Sequence, residues 1–185
     1  MINSDTNSCS IKDFFENRDK LIISHMNGEI DKKSFLQLNY NYMIDNKIKP
    51  FNTIDSFEKG MFNYQFYNIM AKYNKMLAQE IKESGRNIDF YAKYLDNVKH
   101  YYDEKDKTIF RLLRFLKYNN IEAYFVNMES TALNGKLYEI VLKDYEFAVL
   151  HSCSEWMLSV LRKENVFLDQ IQKSVIDYYV NNSYW

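Results

Sequence analysis

The sequence predicts an α+β fold, mostly helical, in which a long antiparallel helical hairpin is joined by N-terminal helices, a three-stranded antiparallel meander and C-terminal helices. Three observations predict it. Only four Gly and one Pro punctuate 185 residues, so the elements should be long, and long elements with few breakers are helices. Two apolar stripes at helical spacing lie on either side of Gly85: Phe62, Phe66, Ile69, Tyr73, Leu77 and Ile81 before it, and Val98, Tyr102, Lys105, Ile109, Leu112 and Leu116 after it. From Ile121 onward β-branched and aromatic residues surround Asn134-Gly135, the strongest short-range hairpin signal.

The elements follow in order. Ser10 can cap a first helix that Gly28 ends, with Ile11, Phe14, Phe15, Leu21, Ile22 and Met26 as its apolar stripe. A second helix starts near Asp31, carries Phe35, Leu38 and Tyr42 inward, and ends before Lys49 because Pro50 pushes its predecessor out of the α region. Thr53 or Asp55 caps the longest stretch, which runs to Ser84 and closes at Gly85. Phe57, Met61 and Tyr64 widen its apolar arc, so its first half should pack on two sides. Residues 88 to 118 read as one helix, since the stripe keeps its phase through Asp103 to Lys107; the alternative is a break at Asp106 with a new start at Thr108.

The meander is expected over residues 121 to 151, with a second turn at Lys143-Asp144. Ser152 and Glu155 form a capping-box pattern that opens the C-terminal helices, 152 to 182. The expected organisation is a disordered stretch at residues 1 to 9 and a single α+β domain at 10 to 185, its helical part ending at 118.

Composition narrows the function classes. Sixteen Tyr and thirteen Phe exclude a disordered chain. Net charge is −1, divided as 19 Lys/Arg against 16 Asp/Glu over residues 1 to 120 and 5 against 9 over the remainder. That is far from the basic footprint of a dedicated nucleic-acid binder. Two cysteines, Cys9 and Cys153, are too few for a disulfide framework. With no leader segment and no long apolar run, the expected location is the cytoplasm, away from membranes.

Candidate chemistry is sparse. His151, Cys153 and Glu155 hold the parts of a thiol nucleophile with its base, but their spacing is wrong for a local unit, and a small buried cysteine explains Cys153 as well. His25, His100 and His151 are scattered without metal-ligand spacing, and His25 fits a partly buried core position. No metal or cofactor is expected. The pairs Glu80/Glu83 and Asp103/Asp106 share helix faces but lack the Glu-x-x-His partner of a di-iron site. Glu139 and Lys143 are too far apart for a nuclease core.

Lys107, Arg111, Arg114 and Lys117 form a basic stripe opposite Ile109, Leu112 and Leu116, with Tyr118 and Tyr124 available to stack on bases. A solvated helix face accounts for the stripe equally well. The surplus Tyr, at adjacent positions such as Tyr101 and Tyr102, cannot all enter one seam, so some face a second layer, a pocket or a partner.

The segments FNTIDSFEKG, MFNYQFYNIMAKYNKML and NMESTALNGKLYEIVLKDYE resemble an uncharacterised conserved family of low-GC anaerobic Gram-positive bacteria, over nearly the whole chain. The resemblance implies a bacterial cytosolic protein and carries over no activity. The leading expectation is a non-enzymatic binding or regulatory module that recognises a protein partner through an aromatic-rich helical surface, with homo-oligomerisation as a further possibility. The alternative is an enzyme or small-molecule-binding protein with its site between the meander and the helices, using Glu139 and His151. Nucleic-acid binding through the basic stripe is the weakest of the three.

Overall fold

The computed structural model describes residues 10–85, 88–119, 123–130, 135–142 and 148–152. Helix α1 spans Ile11–Met26 and α2 spans Lys32–Asp45. Helix α3 spans Phe57–Ser84 and α4 spans Ile88–Tyr118. The chain divides into two compact units, Met1–Ile109 and Phe110–Trp185.

Local chemistry sets the helix ends. Ser10 Oγ accepts from Asp13 N–H while the Asp13 carboxylate accepts from Ser10 N–H, a complete capping box. Those hydrogen bonds hold the Asp13 carboxyl below its ordinary pKa. Asp31 caps α2 by accepting from Ser34 N–H at 2.7 Å. The cap of α3 is Ser56, accepting from Lys59 N–H at 3.2 Å, and not Thr53 or Asp55. Asp55 instead pairs with the Lys59 ammonium at 2.8 Å. Gly28 and Gly85 take φ of 73° and 63° after α1 and α3, the left-handed stop that L side chains resist. Helix α4 is continuous through Asp106, and Thr108 donates to the Glu104 carbonyl at 2.9 Å instead of starting a new helix. Ser56→Ala should cost about 1 kcal/mol, read as a lower midpoint in urea with an unchanged slope.

The core of the helical unit is aromatic. Phe14, Met43, Ile48, Phe62 and Ile69 form one buried cluster, with Phe62 at 4.7 Å from the Phe14 ring and 5.1 Å from Phe51. Asn63 clamps the loop before α3 by accepting from Phe51 N–H and donating to Phe51 C=O, both at 2.7 Å. Helices α3 and α4 run antiparallel. Asn97 donates to Asn74 at 3.0 Å, and ten residues earlier on α3 Tyr64 lies under Lys105.

The inward face of α2 differs from the expected one. Leu36, Asn39 and Met43 are buried with Phe35, while Leu38 is 41% exposed. A polar residue can hold this inner position because Asn39 Nδ2 donates to the Phe35 carbonyl one turn back, at 2.7 Å. Asn74 repeats the device on α3, donating to Met70 C=O at 2.8 Å. Ala71 and Ala78 are also fully buried there, so α3 is closely packed by small residues and self-satisfied amides as well as by its large apolar ones.

The α+β class is corrected by these observations. Among the described residues, 10 to 119 form four helices and no strand, and the core described above is supplied by helices and by Ile48 in a loop between them. The helical body is therefore all-α. Within the second unit, strands β1 (Ala123–Ser130), β2 (Gly135–Leu142) and β3 (Ala148–Ser152) pair antiparallel in that order, with Phe125 opposite Ile140 and Ile140 opposite Val149. The expected N-terminal stretch 1 to 9, the turn at Lys143-Asp144 and the C-terminal helices after Ser152 lie outside the described residues.

Candidate anion-binding site

Three cationic side chains from three helices of the helical unit are withdrawn from solvent, and the charges of two of them act on the third. Arg18 follows Phe14 by four residues on the apolar stripe of α1 and is 5% exposed. Lys105 occupies a stripe position of α4 and is 7% exposed. Lys72 extends from α3 with its Nζ shielded from solvent, and the charges acting on it are those of Arg18, Lys105, Lys32 and Lys75. Placing like charges together in a low-dielectric interior is costly unless something compensates.

Part of the compensation is aromatic. Buried Tyr64 is linked to two of them, with Lys105 Nζ 5.4 Å from its ring centroid and its hydroxyl acting on Arg18. Lys105 Nζ is also 4.9 Å from the Tyr102 ring, and Arg18 Cζ lies 5.8 Å from Phe35. Asp19 adds a carboxylate next to Arg18.

The electrostatic consequences follow from burial. Desolvation lowers the Arg18 guanidinium to about 10, with Asp19 and Tyr64 opposing the shift. Burial raises the Asp19 carboxyl, and Arg18 pulls it back. Lys72 is lowered to about 6, first by burial and then by the four neighbouring cations. Burial also pushes the Tyr102 phenol up.

Helix α3 carries further polar side chains on the same side as Lys72. Gln65 and Lys72 are two turns apart on one side of α3, and Asn68, between them, is 5% exposed. The Gln65 Oε1 is buried and receives no hydrogen bond among the described residues. Guanidinium and ammonium groups together suit an anion with several oxygens, the planar fork binding two of them and the ammoniums acting as point charges.

The residues selected from the sequence lie elsewhere. On α4, Lys107 pairs with Glu104 at 2.6 Å, and Arg111 is exposed. Arg114 lies over the Tyr118 ring at 5.8 Å and reaches its hydroxyl at 3.4 Å, with Tyr118 73% exposed. The Lys117 side chain lies outside the described residues. In the sheet, Tyr124 pairs with Val141, Glu139 with Val126 and Leu150, and His151 with Tyr138. Cys153 lies outside the described residues. His25 stacks on Phe35 at 5.4 Å, with Nδ1 3.0 Å from the Ile30 carbonyl oxygen. Among the described residues no group of His, Cys, Asp and Glu that could hold a metal is found, and no helix is long and apolar enough to cross a membrane.

Arg18 and Lys72 were missed as site residues because charge was read as a mark of the solvated face. The available signal was position: Ile11, Phe14, Arg18 and Leu21 step by three, four and three, and Ile69 and Lys72 by three.

No curated protein and no solved structure matches the chain. The model of a family of unknown function, DUF6648, matches residues 4–184, and the chain belongs to that family.

Proposed function

We propose that this protein binds a small anionic ligand inside its helical unit, at Arg18, Lys72 and Lys105. The observation that supports the reading is that Arg18 from α1 and Lys105 from α4 both act on buried Tyr64 while the charges of the same two residues act on Lys72 from α3. A purely structural role would be served better by apolar side chains of similar volume, which cost no desolvation. The reading places the small molecule in the helical unit instead of beside Glu139 and His151.

The test is thermal unfolding of the full chain in sodium phosphate, sulfate and citrate against sodium chloride at equal ionic strength. At a ligand concentration of 100 times Kd the native state gains about 2.7 kcal/mol, a rise of roughly 5–10 °C for a protein of this size. Lys105→Met should fold and lose the rise. Equal melting temperatures in all four salts would refute the proposal.

A further inference from the structure

We propose that Tyr40 and Tyr73 form an oxidation site, at which a small one-electron oxidant, such as a radical derived from peroxide, joins the two rings as dityrosine and staples α2 to α3. The inference is independent of the anion-binding reading and uses none of its residues. The two rings stack with centroids 3.8 Å apart and planes 14° from parallel, closer and flatter than the offset or edge contacts that aromatic pairs prefer. Carbons of one phenol therefore lie over the other ring. Further contacts between α2 and α3 hold this register. Lys33 Nζ meets the Glu80 carboxylate at 2.6 Å, seven residues before Tyr40 on α2 and seven after Tyr73 on α3, and the Tyr73 hydroxyl donates to Gln37 Oε1 at 3.2 Å. Both rings are half-buried, so packing limits their motion while part of each meets solvent, where a small oxidant reaches it. Packing alone would need only the rings; the hydroxyls are what make the ring carbons beside them reactive once an electron is lost.

Each phenol gives one electron to a molecule of oxidant and its hydroxyl proton to solvent, leaving a phenoxyl radical whose unpaired electron is shared with the carbons ortho to oxygen. The two radicals couple through one ortho carbon of each ring, forming a C–C bond as the rings turn about their own side-chain bonds. The hydrogen on each of those carbons then leaves as a proton while a proton returns to each oxygen, which restores both aromatic rings. The protein has lost two electrons and two protons, and two molecules of oxidant have each been reduced by one electron. Unlike a disulfide, the new bond is not opened by thiols. Tyr94 and Tyr101 on α4 also act on the Tyr40 phenol, which makes them the competing partners.

The test treats the dilute full chain with photo-oxidised tris(bipyridine)ruthenium, a small one-electron oxidant, isolates the chains not joined to one another and maps their cross-linked peptides by mass spectrometry. The expected result is the blue emission of dityrosine in that fraction and one dominant link, Tyr40 to Tyr73. Tyr40→Phe and Tyr73→Phe keep both rings, so each should fold and lose the link. Tyr118→Phe removes a phenol that is 73% exposed and should leave the link intact. Joining residues 40 and 73 restricts the unfolded chain as a disulfide would, so the linked protein should melt roughly 10 °C higher than the untreated one. A dominant link at Tyr118, a link from Tyr40 to Tyr94 or Tyr101, links only between chains, or no dityrosine at all would overturn the proposal. So would a Tyr40–Tyr73 link that leaves the melting temperature unchanged, since it would have formed after the two helices had parted.

Discussion

Phe62→Ala is expected to destabilise the protein by about 3–5 kcal/mol, the range for a large aromatic truncated in a closely packed core. Phe62 is 2% exposed and touches two other rings, Phe14 at 4.7 Å and Phe51 at 5.1 Å. Truncation removes both ring pairs and leaves a cavity whose walls come from α1, α3 and the loop that Asn63 fixes to α3. That loop limits how far the cavity can collapse, so the cost should fall toward the upper end. Domains are stable by about 5–15 kcal/mol, and a loss of this size would leave a substantial unfolded fraction at 37 °C. Equilibrium unfolding in urea checks it, with Leu38→Ala as the control. Leu38 is 41% exposed, and its loss should change stability by less than about 0.5 kcal/mol. Equal effects from the two substitutions would contradict the core assignment.

The helices were legible because their punctuation is local. Ser10, Asp31, Gly28 and Gly85 act through hydrogen bonds or a φ value that no distant residue needs to supply. The apolar phase of α4 carried the helix through Asp106 because the repeat of Tyr102, Lys105, Ile109 and Leu112 does not depend on the exposed charges between them. Class was harder. Treating a helical hairpin and a strand-rich segment in one chain as one layered α+β domain assumes that the helices need the sheet to cover them. In the structure α1 and α2 supply Phe14, Phe35, Leu36 and Met43 to a buried core made with α3, which makes that body all-α. The information deciding this is which faces meet, and it is spread over residues more than 30 apart.

The site was legible only in outline. Lys105 appears in the α4 stripe from spacing alone, yet its meaning depends on Tyr64, 41 residues earlier, and on Arg18. Counting charges offers no help, since the unit containing three buried cations belongs to a chain of net charge −1. Burial converts an ordinary charge total into a concentrated local one. Asn39 and Asn74 show the other side of the same difficulty: an amide that satisfies itself on the previous turn enters the core and breaks the apolar pattern that would have announced it.

Stability of the ligand-free protein is expected to rise with pH between about 6.5 and 9, opposite to a protein dominated by salt-bridged lysines. Lys72 ionises near 6 when folded and near 10.4 when unfolded. Between those values the unfolded chain binds one more proton than the native one, so the free energy of unfolding increases with pH, by up to about 1.4 kcal/mol per unit. Below 6 both states carry the proton and the dependence from this residue ends. The groups acting on Lys72 are Lys75 on its own helix, Lys32 just inside α2, Arg18 on α1 and Lys105 on α4. Arg18, lowered to about 10, adds a rise only above the window, and Tyr40, Tyr101 and Tyr102, raised by burial, titrate above it as well. Asp13, Asp31 and Asp55 are lowered and act in the acid range. Among the described groups with a resolved shift, Lys72 is the one that titrates in this window. Urea unfolding at pH 6.5 and 9 should show the gain in the wild type and a flat response in Lys72→Met; matching slopes would assign the dependence to another group. An anion bound among Arg18, Lys72 and Lys105 favours the protonated amine, so binding should take up a proton at neutral pH. Its affinity should then strengthen by up to about tenfold for each unit that pH falls toward 6 and level off below. Ligand and proton thus act on the same nitrogen, and the free protein should gain stability as pH rises while its affinity for the anion declines.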